Sequence, residues 1–190
     1  MATIQDKPAA ILKATLDLIG EHGFHGTPMS MIAKRSGVSA GIIYHYFENK
    51  DALIHALYKE VKASFSAVIL AGAPETLPWP ENLKRVWLNA FHYYAAHPQE
   101  TLFLEQYENS PYQGDFAAHF LMDDNLQTLG EMVQNGIAAG DIRPMPIDVL
   151  YELTLGVAIG LAKRQINGAI TLDALTLDTV ANAICRAIAP

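Results

Sequence analysis

The stretch GVSAGIIYHYFENKDAL, residues 37–53, decides how the rest of the chain is interpreted. Gly37 precedes a valine, a pair that ends helices by placing glycine at the left-handed position after the last turn. Ser39 is a preferred helix N-cap, and only about two helical turns fit before Asn49, a second preferred N-cap. Three aromatic rings and a histidine fill positions 44–47. The stretch therefore predicts a short helix between two caps, rich in side chains with polar tips.

Helical periodicity continues on the N-terminal side of this stretch. Residues 8–21 carry apolar side chains at helical spacing, with Asp6 as the expected N-cap. Thr27-Pro28 offers a hydroxyl cap and a proline in the first turn for a helix over 29–36. The sequence SGVS joins that helix to the next, over 40–46. This spacing is typical of a helix-turn-helix, whose second helix lies in the DNA major groove.

The outer face of this helix-turn-helix, which covers about residues 28–47, carries side chains suited to DNA. Hydroxyl groups at helix starts, with nearby backbone N–H groups, can hold phosphate oxygens. A glycine permits close backbone approach, an isoleucine can touch a thymine methyl group, and tyrosine and lysine can donate to phosphates. A packing role for one of the two tyrosines is the alternative. The predicted DNA-binding residues are Thr27, Ser30, Ser39, Ala40, Gly41, Ile42, Tyr44, His45, Tyr46 and Lys50.

The segment TPMSMIAKRSGVSAGIIYHYFENKDALIHAL, residues 27–57, resembles the DNA-binding region of the TetR family of bacterial regulators. It supplies every fixed position of the pattern T-x-x-x-x-I-A-x-x-x-G-V-S-x-G-x-[LI]-Y-x-[HY]-F-x-x-K-x-x-L, and the resemblance covers about residues 8–60. Ser30 and Ala40 depart from the family, because many members have arginine at the first position and lysine or arginine at the second. We therefore expect shape, methyl contacts and hydroxyl groups to contribute more than charged side chains to base reading.

The rest of the chain also predicts an all-α fold. No alternating strand pattern of useful length occurs, and the proline-rich segment GAPETLPWP, residues 72–80, is the strongest linker signal. We expect a DNA-binding domain over residues 1–60 and a ligand-binding and dimerisation domain over 61–190. The further predicted helices are 81–97, 100–109, 113–139, 146–167 and 172–188.

Composition excludes several classes of protein. The net charge of −7 disfavours a general nucleic-acid binder, but residues 1–62 carry seven basic and six acidic side chains while the remainder carries six and fourteen. A single cysteine, Cys185, excludes an internal disulfide framework. There is no apolar signal segment, and the longest apolar run, Leu153–Ala162, is half of a membrane span. A soluble cytoplasmic protein without membrane contact is expected.

Two features beyond the linker indicate binding surfaces. Aromatic residues concentrate between positions 91 and 120, and the family resemblance implies a cavity for a small-molecule effector there; packing in a helical core is the alternative. The predicted pocket residues are Phe91, Tyr94, Phe103, Gln106, Tyr107 and Phe120. Gly156, Ile159 and Gly160 lie in the apolar run, where small residues let helices approach closely. The resemblance implies a homodimer through the last two long helices, and internal packing is the alternative.

The sequence offers little for catalysis or metal binding. His22 and His25, like His92 and His97, lack the spacing of ligands on one helix face, and no nucleophile elbow or phosphate-binding glycine loop is present. We expect neither an enzyme nor a cofactor. The sequence thus predicts a homodimeric, ligand-responsive repressor of a pseudo-palindromic operator. A related regulator without an inducer and a helical-bundle enzyme are the alternatives.

Overall fold

A computed structural model describes residues 7–112 and 123–190. The regular structure within these two ranges is helical and includes no strand, which confirms the predicted all-α class. The expected N-cap Asp6 and the predicted pocket residue Phe120 lie outside the described residues.

The first four helices follow the predicted bounds closely. They are α1, Lys7–His22; α2, Met29–Ser36; α3, Ala40–Tyr46; and α4, Lys50–Ile69. Gly37 adopts φ +68° after α2, because glycine alone enters this left-handed region without a steric penalty. Asn49 caps α4 through its Oδ1, which accepts from Ala52 N at 2.8 Å. These caps confirm the helix limits predicted from the sequence.

The second part of the chain holds the remaining helices. They are α5, Glu81–Ala96; α6, Pro98–Glu108; α7, Asp124–Ala139; α8, Ile147–Tyr151; α9, Val157–Ile166; and α10, Ala174–Ile188. A short 3₁₀ turn, Pro74–Thr76, lies in the predicted linker. A π-helical turn, Glu152–Gly156, joins α8 to α9, so the single helix predicted over 146–167 has a change of winding in its middle.

The chain divides into two compact units. The N-terminal unit contains residues 7–62 and 102–112, and the C-terminal unit contains residues 63–101 and 123–190. The chain therefore returns to the N-terminal unit after α5, so residues 102–112 belong to that unit although they follow residue 60 in the sequence. Both α4 and α6 contribute residues to each unit.

The N-terminal unit has a core of branched aliphatic side chains from α1 to α4. Ile19, Ile32, Ile43 and Leu53 are fully buried, which explains why so short a helix as α3 is held firmly in place. Phe47, the residue that follows α3, is only half-buried.

The C-terminal unit is built around α5. Trp87 and Phe91 are buried on this helix, and their rings stack at 5.9 Å between centroids. α9 packs against α5, and its Ala158 and Ala162 are fully buried. Small side chains one turn apart let the two helix backbones approach closely.

The buried face of α4 is a regular row of large apolar side chains. Leu57, Val61 and Phe65 are buried, but Val68 is 37% exposed and Ile69 is fully buried instead. The buried positions of this row recur every four residues, so the next one after residue 65 is 69 and Val68 lies outside the row. No helix in the described ranges is long and apolar enough to cross a membrane.

Candidate nucleic-acid interface

The outer face of α3 is open to solvent along its whole length. Tyr44 is 52% exposed, whereas the nearby rings of Tyr46 and Phe47 are half-buried. Ala40, Gly41 and His45 are exposed on the same short helix. Ile42 is half-buried, while Ile43 is the residue that anchors the helix in the core. The structure therefore separates the helix into a buried anchor and a polar, solvent-facing surface.

The start of α3 is suited to a phosphate oxygen. Ser39 stands at the N-cap with extended backbone, and its carbonyl accepts from Ile42 N at 3.0 Å and Ile43 N at 3.1 Å. Its hydroxyl group makes no capping hydrogen bond, and the side chain is exposed. Ala40 and Gly41, which begin the helix, are exposed beside this serine, and backbone N–H groups in the first turn of a helix lack partners within it.

Gly41 follows in the first turn of α3. A Cβ placed on it would meet no heavy atom within 4 Å apart from its own helix's backbone. The fold of the single chain therefore gives no steric reason for glycine at this position, whereas close approach to a DNA groove would.

Thr27 has a different role from the predicted one. It is 0% exposed, and its Oγ1 donates to the carbonyl of Gly23 at 2.8 Å. Pro28, not Thr27, occupies the N-cap position of α2. The prediction that Thr27 caps this helix was wrong, because the turn after α1 already uses its hydroxyl group. Ser30, in the first turn of α2, is exposed.

Lys50 also has a partner within the protein. Its Nζ donates to the carbonyl of Phe24, in the turn that follows α1. Burial lowers the pKa of Lys50, although the carboxylate of Asp51 acts in the opposite direction. The lysine that we predicted as a phosphate contact therefore joins the start of α4 to the α1–α2 connection.

Two basic residues at the end of α2 were not among the predicted contacts. Arg35 forms a bidentate pair with Glu21, with Nη–Oε distances of 2.9 and 2.8 Å, and this hydrogen bonding lowers the pKa of Glu21. Lys34 is exposed. Two basic residues next to each other within the helix-turn-helix could have predicted Lys34 as a DNA contact.

Two family models match this chain. Residues 11–57 match the model described as bacterial regulatory proteins of the tetR family, and residues 78–189 match a tetracyclin repressor-like C-terminal domain. The chain belongs to the TetR family of bacterial transcriptional regulators. It is thus a DNA-binding regulator of the helix-turn-helix class, as the N-terminal sequence predicted.

Similar proteins extend over most of this TetR-family chain. An uncharacterized HTH-type transcriptional regulator of Haemophilus influenzae is 30% identical over 157 residues, which are 83% of this chain and 82% of that one. A solved TetR-family regulator from Haemophilus influenzae Rd has a TM-score of 0.81 at 29% identity, covering 97% of both chains. A TetR-family regulator from Marinobacter aquaeolei VT8 shares the fold, with a TM-score of 0.89 at 24% identity over 97% of this chain and 96% of that one.

The predicted effector-pocket residues fall in different parts of this TetR-family chain. Phe91 and Tyr94 are buried in the C-terminal unit, whereas Phe103, Gln106 and Tyr107 belong to the N-terminal unit. Their grouping into one pocket stays a prediction. The C-terminal unit has a separate apolar cavity of about 50 Å³, and none of its lining residues is among the predicted pocket residues. It is lined by Leu83, Val86, Trp87, Leu129, Gly130, Val133, Ile142, Ile147, Leu150, Tyr151, Thr154, Leu155 and Ile188.

This cavity lies against the π-helical turn. Trp87 Nε1–H donates to the carbonyl of Thr154 at 3.1 Å, and Thr154 Oγ1 donates to the carbonyl of Leu150 at 2.6 Å. The Thr154 carbonyl also accepts from Val157 N, so it has one backbone and one side-chain donor, and π-helical turns are frequent at functional sites. The polar groups at the cavity wall are thereby satisfied, and the space itself is apolar.

The predicted dimer residues lie on or near the surface of the C-terminal unit. Gly160 is exposed, and a Cβ on it would meet no heavy atom within 4 Å apart from its own helix's backbone. Gly156 and Ile159 are half-buried. The internal-packing alternative applies instead to Ala158 and Ala162, which are buried. Among residues 7–112 and 123–190, no group of three or more metal-ligating side chains clusters together.

Proposed function

We propose that this TetR-family regulator is a ligand-responsive repressor that binds a pseudo-palindromic operator as a homodimer. The observation that carries the proposal is the outer face of α3, where exposed Ala40, Gly41 and Tyr44 follow a serine N-cap with an uncommitted hydroxyl group. Each copy would place α3 in a major groove, and the two grooves would be about 34 Å apart.

The side chains of this face fall into two groups, those that can contact phosphates and those that can contact bases. Ser39 and Tyr44 are suited to phosphate oxygens, which position the protein without selecting a sequence. Ile42 and His45 stand on the helix itself, where side chains meet base edges. Since neither Ser30 nor Ala40 carries a charge, we propose that the protein selects bases through apolar contacts and the shape of the groove.

A homodimer is supported by apolar surface on the C-terminal unit. Leu175 on α10 is 77% exposed, and Val149 and Leu153 are exposed near the π-helical turn. Exposed apolar side chains of this size favour association when they form one patch. We propose that the α8–α9 segment and α10 pair with the same segments of a second copy.

We propose that the effector enters the apolar cavity beside Trp87. At about 50 Å³ the cavity is smaller than the pockets that hold small ligands, which measure roughly 300–1,000 Å³. An effector must therefore widen it, and would favour conformations in which α5, α7 and the π-helical turn are farther apart. Such differential affinity is what linkage requires if effector binding is to change DNA affinity.

Selection of duplexes from random sequence tests the DNA part of the proposal. The wild-type protein should enrich a two-fold related pair of half-sites, and the logarithm of its affinity should fall linearly with the logarithm of the salt concentration. Tyr44→Phe should weaken binding to selected and unrelated duplexes by a similar factor, with Tyr93→Phe, which removes a buried hydroxyl group in the C-terminal unit, as the control. Enrichment of a single unpaired site, or none, would contradict the proposed dimeric mode.

A further inference from the structure

A second and much larger cavity opens in the N-terminal unit. Its volume is about 690 Å³, within the range of pockets that hold small ligands. The wall is formed by the α1–α2 connection at Phe24 and His25, by the first two turns of α4, and by residues 106–112 at the end of α6. None of the lining residues belongs to α2 or α3, so the cavity is distinct from the proposed DNA-binding face.

Aromatic rings form one side of this cavity. The Phe24 and Tyr112 rings are 5.2 Å apart between centroids and tilted by 55°. His55 meets Tyr112 edge to face at 5.9 Å, and its Nδ1 lies 2.9 Å from the Tyr107 hydroxyl oxygen. These contacts fix the orientation of the rings, and ring faces attract both apolar groups and cations.

The lining residues of this cavity include one carboxylate, and the Lys50 ammonium lies near it on the Phe24 carbonyl. Asp51 supplies a carboxylate, while no lysine or arginine is among the lining residues. Burial, together with the hydrogen bond that the Tyr112 hydroxyl donates to Asp51, raises the pKa of Tyr112. The phenol therefore remains a neutral donor at physiological pH and holds the carboxylate beside the aromatic rings. Gln106 on α6 and Asn109 just after it add amide groups to the wall.

We propose that this cavity binds a small organic amine, with its ammonium group beside Asp51 and its apolar body against Phe24 and Tyr112. A carboxylate next to aromatic faces attracts a cation by two independent interactions, and the same arrangement repels an anion. This site is additional to the effector cavity of the C-terminal unit.

The position of the site gives an occupant access to the helix-turn-helix. The lining residues Phe24 and Asp51 lie just before and just after α2 and α3 in the chain. The carbonyl of Phe24 also accepts from Lys50, so the two sides of the cavity are already joined by a hydrogen bond. An occupant would contact both segments from which the DNA-binding helices extend.

Isothermal titration of the full chain with three compounds of similar size tests the proposal. The compounds are 2-phenylethylamine, which is a cation, 2-phenylethanol, which is neutral, and phenylacetate, which is an anion. We expect the amine to bind about tenfold more tightly than the alcohol, since an ion pair and a cation–π contact both favour it, and phenylacetate to bind least. Asp51→Asn should weaken amine binding by about fivefold and leave alcohol binding unchanged. Glu60→Gln, an exposed acid on the same helix but outside the cavity, is the matched control.

Two outcomes would overturn the proposal: equal binding of the amine and the alcohol, or equal loss of amine binding in Asp51→Asn and Glu60→Gln. If Asp51→Asn unfolds, the site is tested instead by the changes in backbone amide chemical shifts that 2-phenylethylamine causes in the wild-type protein. Shifts caused by 2-phenylethylamine should concentrate at residues 24–25, 51–55 and 106–112, and shifts confined to other residues would contradict the site. Because no DNA is present, failure of this site and failure of operator binding are distinguishable.

Discussion

Three exposed helical glycines have no packing reason within the single chain. A Cβ added to Gly20, Gly41 or Gly160 would meet no heavy atom within 4 Å apart from its own helix's backbone. Alanine at such positions would stabilise a helix by roughly 1 kcal/mol, because glycine has more backbone freedom to lose. The proposed docking surfaces would account for glycine at two of them, with DNA at Gly41 and a second copy of the chain at Gly160.

Residue type alone was a weaker guide where one side chain has several possible partners. Ser39 and Asn49 occupy their predicted N-cap positions, because helix starts depend on local backbone geometry that the neighbouring sequence determines, and Asn49 also caps with its side chain. The partners of Thr27 and Lys50 were not predicted. Each meets a carbonyl in the Gly23–Phe24 turn, and that turn reaches them only after the chain has folded.

The adjacent isoleucines of α3 should respond differently to truncation. Ile43→Ala removes a fully buried side chain from the core and should lower the free energy of unfolding by about 2–5 kcal/mol. Ile42→Ala, at a half-buried position, should cost less stability and change which duplexes are selected from random sequence. Urea denaturation and repeated selection measure the two effects. Equal destabilisation by both variants would mean that α3 is oriented differently from the structure.

Truncation of Lys50 should weaken the fold and not only DNA binding. Lys50→Ala leaves the Phe24 carbonyl without its donor and should lower the free energy of unfolding by about 1–2 kcal/mol. If the ammonium also meets a phosphate, the slope of log affinity against log salt should fall by about one unit. Lys59→Ala, on an exposed part of α4, is the control for general charge loss. Unchanged stability would show that the bond to Phe24 contributes nothing measurable.

At the scale of elements, helices bounded by strong caps could be predicted from the sequence, whereas irregular winding could not. The end of α2 follows from the glycine stop at Gly37, and the starts of α3 and α4 follow from the N-cap residues Ser39 and Asn49; such signals act within a few residues. The π-helical turn at Glu152–Gly156 has no comparable local signal. Its Thr154 carbonyl bonds to Trp87, 67 residues away in sequence, and such a partner is set by tertiary packing.

The proposed pairing of α8–α9 and α10 with a second copy gives a prediction at this scale. Gly160→Leu has room in the single chain, so it should leave the fold intact while forcing the two copies apart. Sedimentation should then show a shift from dimer to monomer. Gly20→Leu, at an equally open helical position on α1, should keep the wild-type sedimentation coefficient. A stable Gly160→Leu dimer would place the interface elsewhere.

At the scale of the whole molecule, the sequence indicated two functions but not which residues share a cavity. The near-neutral first 62 residues and the acidic remainder already suggested different partners. The apolar cavity combines side chains from position 83 to position 188, which no sequence spacing relates. Likewise, residues 102–112 join the N-terminal unit only because the chain folds back, so the residues predicted for one pocket belong to two units.

The apolar cavity predicts the charge preference of the effector. Hexanol, hexylamine and hexanoate differ mainly in charge, and the neutral alcohol should raise the melting temperature most, by about 2–4 °C at saturating concentration. Hexanoate should have the least effect, because the C-terminal unit is acidic and its cavity is apolar. Val133→Phe fills the cavity and should abolish the effect, whereas Val68→Phe on the exposed side of α4 should not. A rise in melting temperature with hexanoate alone would contradict the proposal that this apolar cavity binds a neutral effector.

The central claim is that α3 enters the DNA groove, and Gly41→Leu tests it most directly. The affinity of this variant for a duplex selected by the wild-type protein should be measured beside that of Gly20→Leu, with thermal unfolding of both. We predict that both variants fold, that Gly20→Leu binds as the wild type does, and that Gly41→Leu loses at least roughly tenfold in affinity, equivalent to about 1.4 kcal/mol. A folded Gly41→Leu protein with wild-type affinity would contradict the placement of α3 in the groove.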